Sequence, residues 1–166
     1  GRYLVSQIRE IDIDDILGRS SVPPDPELFR QMIEGRAILV SGAGGSIGSE
    51  LCRLIAKWKP RKLVLLEANE FVLYQIERTL KNRTSLPVVP VLGSVTDDVL
   101  VRRTLKTHGI QVVFHAAAHK HVPLVEANVF EGIRNNVFGT KTISDAAFDT
   151  GVENFVLIST DKAVRP

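Results

Sequence analysis

The sequence predicts an α/β fold, a doubly wound parallel sheet of about five strands that is truncated before completion. Three observations carry this expectation. From Ala37 onward, short apolar runs alternate with stretches of helical periodicity. A glycine-rich turn separates the first run from the first helical stretch. The last apolar run leads into Thr160-Asp161-Lys162, an acid and an amine side by side where a parallel strand would end, and the sequence stops at Pro166.

Residues 1–35 read differently from the rest and are expected to form a leading segment and linker. Ile8 to Leu17 mixes charged and apolar residues without a long helical stripe, and Val22-Pro23-Pro24-Asp25-Pro26 reads as extended chain. A short helix over Pro26 to Glu34 follows, capped by Asp25 and stopped by Gly35. Ala37 to Val40 is then a strand buried on both faces. Ile47, Leu51, Leu54, Ile55 and Trp58 mark a helix that Pro60 ends. Lys62 to Leu66 is a second strand, and Phe71, Leu73, Tyr74, Ile76 and Leu80 mark a second helix of the alternation. Val88 to Leu92 is the third strand, before a helix capped in Thr96-Asp97-Asp98 that carries Leu100, Val101 and Leu105. Gln111 to Phe114 is the fourth. A long helical pattern through Ile133, Val137, Thr140, Ile143 and Ala147 runs to Gly151, and Phe155 to Ser159 is the fifth strand.

Composition narrows the function classes. Hydrophobic residues make up 44% and charged residues 24%, as in an ordinary globular domain. A formal net charge of +2, with no run of Lys and Arg that makes a stripe, argues against a nucleic-acid partner and suits an anionic small molecule. One cysteine, Cys52, excludes an internal disulfide, fits a reducing compartment and is expected to pack in a helix. No stretch reaches the ~18 consecutive apolar residues of a membrane span.

The glycine turn, Ser41-Gly42-Ala43-Gly44-Gly45-Ser46-Ile47-Gly48, lies between a buried strand and an amphipathic helix. That context identifies a dinucleotide site of the Rossmann type: glycines admit a pyrophosphate to the backbone, and the helix N-terminus supplies positive charge. Gly42, Gly45, Ser46, Ile47 and Gly48 are the candidate contacts, and residues 36–166 the candidate dinucleotide-binding domain. Glu67 ends the second strand, where an acid commonly holds the adenosine ribose and repels a 2′-phosphate, so NAD is favoured over NADP. A solvated strand-end acid is the plainer alternative, and neighbouring Glu70 could share the role. After the fourth strand, Ala116, Ala117 and Ala118 would let backbone lie flat against a cofactor. His115, His119 and His121 invite a zinc reading that no cysteine or carboxylate cluster supports, so no metal is expected. Lys120 and His121 are expected to face an anionic substrate.

The glycine turn, the H-A-A-A-x-K-H-V-P-x-x-E run from His115, the N-x-x-G-T of Asn136 to Thr140, and the terminal S-T-D-K-A-V-R-P together carry a resemblance. From about residue 36 to its end the chain resembles the bacterial capsular and O-antigen polysaccharide biosynthesis family. These are nucleoside-diphosphate-sugar 4,6-dehydratases of the extended short-chain dehydrogenase/reductase superfamily, typically acting on UDP-N-acetylglucosamine. The leading segment resembles the linker that, in long members, joins membrane helices to a cytoplasmic enzyme. The resemblance thus implies a cytoplasmic domain whose parent is anchored at the inner membrane.

It also implies a mechanism. Oxidation at C4 of the sugar acidifies C5, so a base can take the C5 proton while an acid protonates the departing C6 hydroxyl. Lys162 is implied as the base, Asp161 as the acid, and Thr160 as a hydrogen-bonding partner near the C4 oxygen. Ser94, Val95 and Asn136 are implied cofactor contacts, although Ser94 stands where many relatives carry an Asp against the adenine. The superfamily's Tyr or Met and Lys for the oxidation step would lie past Pro166, so this fragment is expected to bind cofactor at most. Exposed edges of an incomplete sheet make a homo-oligomer the expected state. Two rival readings remain: a nucleotide-sugar epimerase or reductase of the same superfamily, and a non-catalytic dinucleotide-sensing module.

Overall fold

A computed structural model describes residues 25–160. Five strands form one wholly parallel sheet: β1 Ala37–Ser41, β2 Lys62–Glu67, β3 Val88–Leu92, β4 Val112–His115 and β5 Asn154–Leu157, in the spatial order β3-β2-β1-β4-β5. Every residue of β1 is buried, because it pairs with β2 on one side and β4 on the other; Leu39 aligns with both Val64 and Val113. Its apolar side chains alternate between two cores. Ile38 and Val40 join Leu63, Leu65, Val112 and Phe114 on one face, and Ala37 and Leu39 join Val64, Leu66 and Val113 on the other. A run buried on both faces is therefore continuous in hydrophobicity rather than alternating.

Helices cover both faces. α1 Pro26–Ile33, α2 Ser46–Lys57 and α3 Glu70–Lys81 lie on the first, contributing Ile33, Cys52, Ile55, Leu73, Ile76 and Leu80. α4 Asp98–His108 and α7 Thr140–Asp149 cover the second through Val101, Leu105, Ile143, Ala146 and Ala147. Caps set the helix starts: Asp25, Asn69 and Asp97 side chains each accept a first-turn N–H of α1, α3 and α4. Gly109 ends α4 in the left-handed conformation at φ 56°.

Two expectations are corrected. The long helix before Gly151 is not continuous. It begins as α5 Val122–Ala127 and α6 Val129–Ile133, passes through a π-helical segment at Arg134–Gly139, and only then becomes α7. One extra residue per turn rotates the helix about its axis, so Ile133 and Val137 stay exposed while Ile143 and Ala147 are buried. In α2, the buried stripe is Gly48, Cys52 and Ile55, with Ile47 and Leu54 exposed; in α3, Phe71 and Tyr74 are exposed. The periodicity was read correctly as helical, but its apolar residues exceed what one sheet face can cover. Among the described residues no helix is long and apolar enough to cross a membrane.

Candidate functional site

β1 and β4 are neighbours in space, but their helices depart to opposite faces. This leaves a crevice at their carboxyl ends, the switch point where doubly wound sheets bind ligands. A cleft of about 270 Å³ occupies it. Gly42, Gly44 and Gly45 form one wall, Ala116 to His119 and Asn135 the other, and Leu66, Glu67, Gly93 and Val95 the base and side.

The glycines are there for approach distances. Gly42 holds φ +65°, and a Cβ on it would lie 2.8 Å from the backbone nitrogen of Ala117. A Cβ on Gly48 would overlap the carbonyl oxygen of Gly42, so α2 starts directly against the turn. Unlike α1, α3 and α4, α2 has no side-chain cap; its N-cap is Gly45. The N–H groups of Ser46, Ile47 and Gly48 consequently find no acceptor among the described residues. Ser46 and Ile47 are exposed at this end. Unmet donors at a helix N-terminus beside a cleft suit a pyrophosphate, so the residues present fit a dinucleotide.

Glu67 is fixed more tightly than a solvated strand-end acid. One carboxylate oxygen accepts the Gly44 N–H and the other the Asn69 N–H, both at 3.0 Å. The acid thus ties the glycine turn to the end of β2 and lines the cleft while each oxygen keeps a further lone pair. Val95 is buried and also lines the cleft, whereas the Ser94 hydroxyl is used within its own turn, 2.9 Å from Thr96 Oγ1 and accepting the Thr96 N–H.

Asn136 acts on backbone. Its Oδ1 accepts the N–H of His119 at 2.8 Å and its Nδ2 donates to the carbonyl of His119 at 3.0 Å. The residue that lines the cleft is its neighbour Asn135, whose Nδ2 donates to Asn136 Oδ1 at 3.0 Å. The π-helical segment places both amides toward the loop after β4. Lys120 and His121 are exposed on that loop at the start of α5.

Sequence reasoning missed two further parts. Gly44 is the second of the turn's four glycines, and a Cβ there would overlap the Val72 side chain. His115, read only as one of three histidines, is buried and bridges elements: Nδ1 lies 2.6 Å from Ser41 Oγ and Nε2 2.9 Å from Thr140 Oγ1. Burial pushes its pKa down to about 4, so it is neutral near pH 7. Apolar flanks in β4 marked His115 as a core residue, and only its polar partners would have shown its role.

The carboxyl end of β5 completes this edge. The Ile158 N–H donates to the His115 carbonyl at 3.0 Å, so the chain to Thr160 leaves the sheet beside the Ala116 to Ala118 loop. Asp161 and Lys162 lie outside the described residues. A larger open groove of about 590 Å³ runs between α2 and α3, but it meets the glycine turn only at Gly44 and no strand end opens into it. The strand-end cleft is the candidate site.

The fold and this cleft define a Rossmann-like α/β domain of the short-chain dehydrogenase/reductase type. Residues 38–166 match the family described as polysaccharide biosynthesis protein, and the chain belongs to it. It is 41% identical over 168 residues to the capsular polysaccharide biosynthesis protein CapD of Staphylococcus aureus, covering the whole chain and 28% of that protein. It is 32% identical over 136 residues to a UDP-N-acetylglucosamine 4,6-dehydratase (inverting) of Campylobacter jejuni, covering 81% of the chain and 39% of that enzyme. Among solved structures, the dTDP-glucose 4,6-dehydratase DesIV of Streptomyces venezuelae, crystallised with NAD, matches 72% of the chain and 38% of its own with a TM-score of 0.61 and 26% identity. The chain therefore spans well under half the length of these relatives.

Proposed function

We propose that this chain is the cofactor-binding part of an NAD-dependent nucleotide-sugar 4,6-dehydratase. Its substrate is UDP-N-acetylglucosamine or a close UDP-N-acetylhexosamine, and its product serves surface polysaccharide synthesis. The observation that carries the reading is the carboxyl end of β5 beside the cleft, where the sequence continues as S-T-D-K, in a chain about one-third identical to a dehydratase of that substrate. The full-length protein is placed at the inner membrane with this domain in the cytoplasm, as its leading segment suggests.

In this reading the α2 N-terminus and glycine turn hold the pyrophosphate, and Glu67 holds the adenosine ribose. The carboxylate disfavours a 2′-phosphate by charge, which supports NAD over NADP. Bound NAD supplies reversible hydride transfer, from C4 of the sugar at the start and to C6 at the end. Lys162 takes the proton from C5. Asp161 gives a proton to the C6 oxygen as the C6–O bond breaks and water leaves. Thr160 hydrogen-bonds near the C4 oxygen. Lys120, exposed beside the cleft, supplies positive charge to the substrate diphosphate, and exposed His121 supplies a hydrogen-bond donor.

Product analysis of the full-length enzyme tests the reading: a 4-keto-6-deoxy sugar supports it, and a C4 epimer overturns it in favour of an epimerase. Epimerases are a real alternative, because UDP-glucose 4-epimerases share this fold at under 25% identity. In the same enzyme, Lys162→Ala should lower turnover at least about a hundredfold. Unchanged turnover would remove Lys162 from the mechanism.

A further inference from the structure

The strands of a parallel sheet all begin at one pole, and here that pole is basic. Four of its cations come from one stretch, Lys57 to Lys62, and the fold adds Arg83 and Lys106 from separate segments. The Lys59 carbonyl accepts the Gly35 N–H at 3.1 Å, the Arg61 N–H donates to the Arg36 carbonyl at 2.8 Å, and Lys62 lies in register with Ala37 at the start of β1. The Arg61 guanidinium reaches Gln111, which precedes β4, at 3.4 Å. The nearby charge of Lys62 helps burial to depress the basicity of His108, which brings the end of α4 with Lys106 to the same place. Lys57 closes α2, and Arg83 follows α3 on the approach to β3.

None of Lys57, Lys59, Arg61, Lys62, Arg83 and Lys106 forms an ion pair among the described residues. Among the described residues, Glu153 and Glu34 at this pole are already engaged, Glu153 by Arg36 and Gln111 and Glu34 by Arg30. Helix dipoles account for cations at helix C-termini such as Lys57 and Lys106. They do not account for Arg61 and Lys62, which open a strand. Nor do they account for Lys59, which holds φ +51° where Gly or Asn would sit without strain.

We propose that this amino-terminal pole docks on an anionic phospholipid surface. Clusters of four to eight Lys and Arg on one face bind acidic headgroups, each cation adding a roughly equal increment. The geometry also leaves the site usable. The cleft opens at the carboxyl ends of the strands, so a domain lying on its basic pole presents the cleft to solvent. α1, which carries the chain into β1, also joins the domain at this pole. The inference rests on charge placement and stands apart from the catalytic reading.

Co-sedimentation of residues 1–166 with vesicles tests it, using phosphatidylcholine alone or mixed with phosphatidylglycerol. Binding is expected only to the mixed vesicles, with loss on raising salt. The Lys59→Glu/Arg61→Glu double variant should weaken it at least about tenfold. Arg134→Glu/Lys141→Glu, an equal charge change away from this pole, should leave it within about twofold. Circular dichroism of both variants establishes that they are folded. Four outcomes overturn the proposal: no preference for phosphatidylglycerol, an equal loss in both variants, binding that survives high salt, or tighter binding to duplex DNA under the same conditions.

Discussion

Gly42 and Ala117 are packed so closely that a Cβ on the glycine would lie 2.8 Å from the alanine backbone nitrogen. The two residues belong to the loops after β1 and β4, and their contact sets the width of the cleft. Gly42→Ala must both adopt φ +65° and push the second loop away, so it should cost about 2–4 kcal/mol. Urea unfolding measures that loss. Calorimetry should show NAD binding weakened well beyond that of a variant equally destabilised elsewhere.

His115 makes stability depend on pH in a defined window. Its folded pKa, about 4, lies below the ordinary 6.5, so between these values the unfolded chain binds more protons. The stabilisation is complete above about pH 6.5 and is lost as pH falls toward 4. The loss should be up to about 3 kcal/mol. Glu27 and Glu153, whose pKa values are lowered by their hydrogen bonds, add their own losses only at lower pH. Denaturant unfolding at pH 7 and pH 5 should differ for the native chain and differ much less for His115→Asn.

Glu67 should decide the choice of cofactor. The native chain is expected to bind NAD more tightly than NADP, and Glu67→Ala to narrow the gap. The same variant leaves the Gly44 and Asn69 N–H groups without their carboxylate, at a cost of about 1–3 kcal/mol. Paired titrations with both cofactors separate the two effects, since lost packing weakens both and lost repulsion favours NADP.

Cys52 should be inert. It is fully buried in α2, and burial pushes its thiol up to about 12. Iodoacetamide should not label the native chain at pH 8 over hours, and should label it promptly in denaturant.

Residues 1–166 should self-associate. Phe130 is 90% exposed and Phe148 86%, and β5 is an edge strand of the sheet. Large exposed aromatics and an open sheet edge are each a recognised association hazard. Sedimentation velocity should show mass rising with concentration, and Phe130→Asp/Phe148→Asp should reduce it.

Local chemistry made much of this protein legible. Helix caps at Asp25 and Asp97, the stop at Gly35 and the strands from Ala37 to Leu92 follow from side chains acting within a few residues, so their positions could be read directly. The glycine turn was legible for the same reason, because strand, turn and helix are contiguous. Glu67 could be named from its spacing. Its grip on Gly44 could not, since that bond joins residues 23 positions apart. Asn136 was singled out as a cofactor contact. The π-helical segment turns its amide to the His119 backbone, and no pattern of apolar residues encodes that extra residue per turn.

The sequence by itself determined the order of elements, the glycine turn and the family, because each is written in neighbouring residues. Tertiary structure alone decided which strands are neighbours, and hence everything that depends on distant residues meeting. Placing β1 between β2 and β4 opened the cleft, buried His115 between Ser41 and Thr140, and brought β5 to its edge. The same placement brought Arg83 and Lys106 to the opposite pole beside the Lys57 to Lys62 stretch, giving a chain of net charge +2 one basic end. The physical reason is that parallel strands must return to one end before each new pairing. Residues tens of positions apart are thereby stacked at two poles, one for chemistry and one for charge.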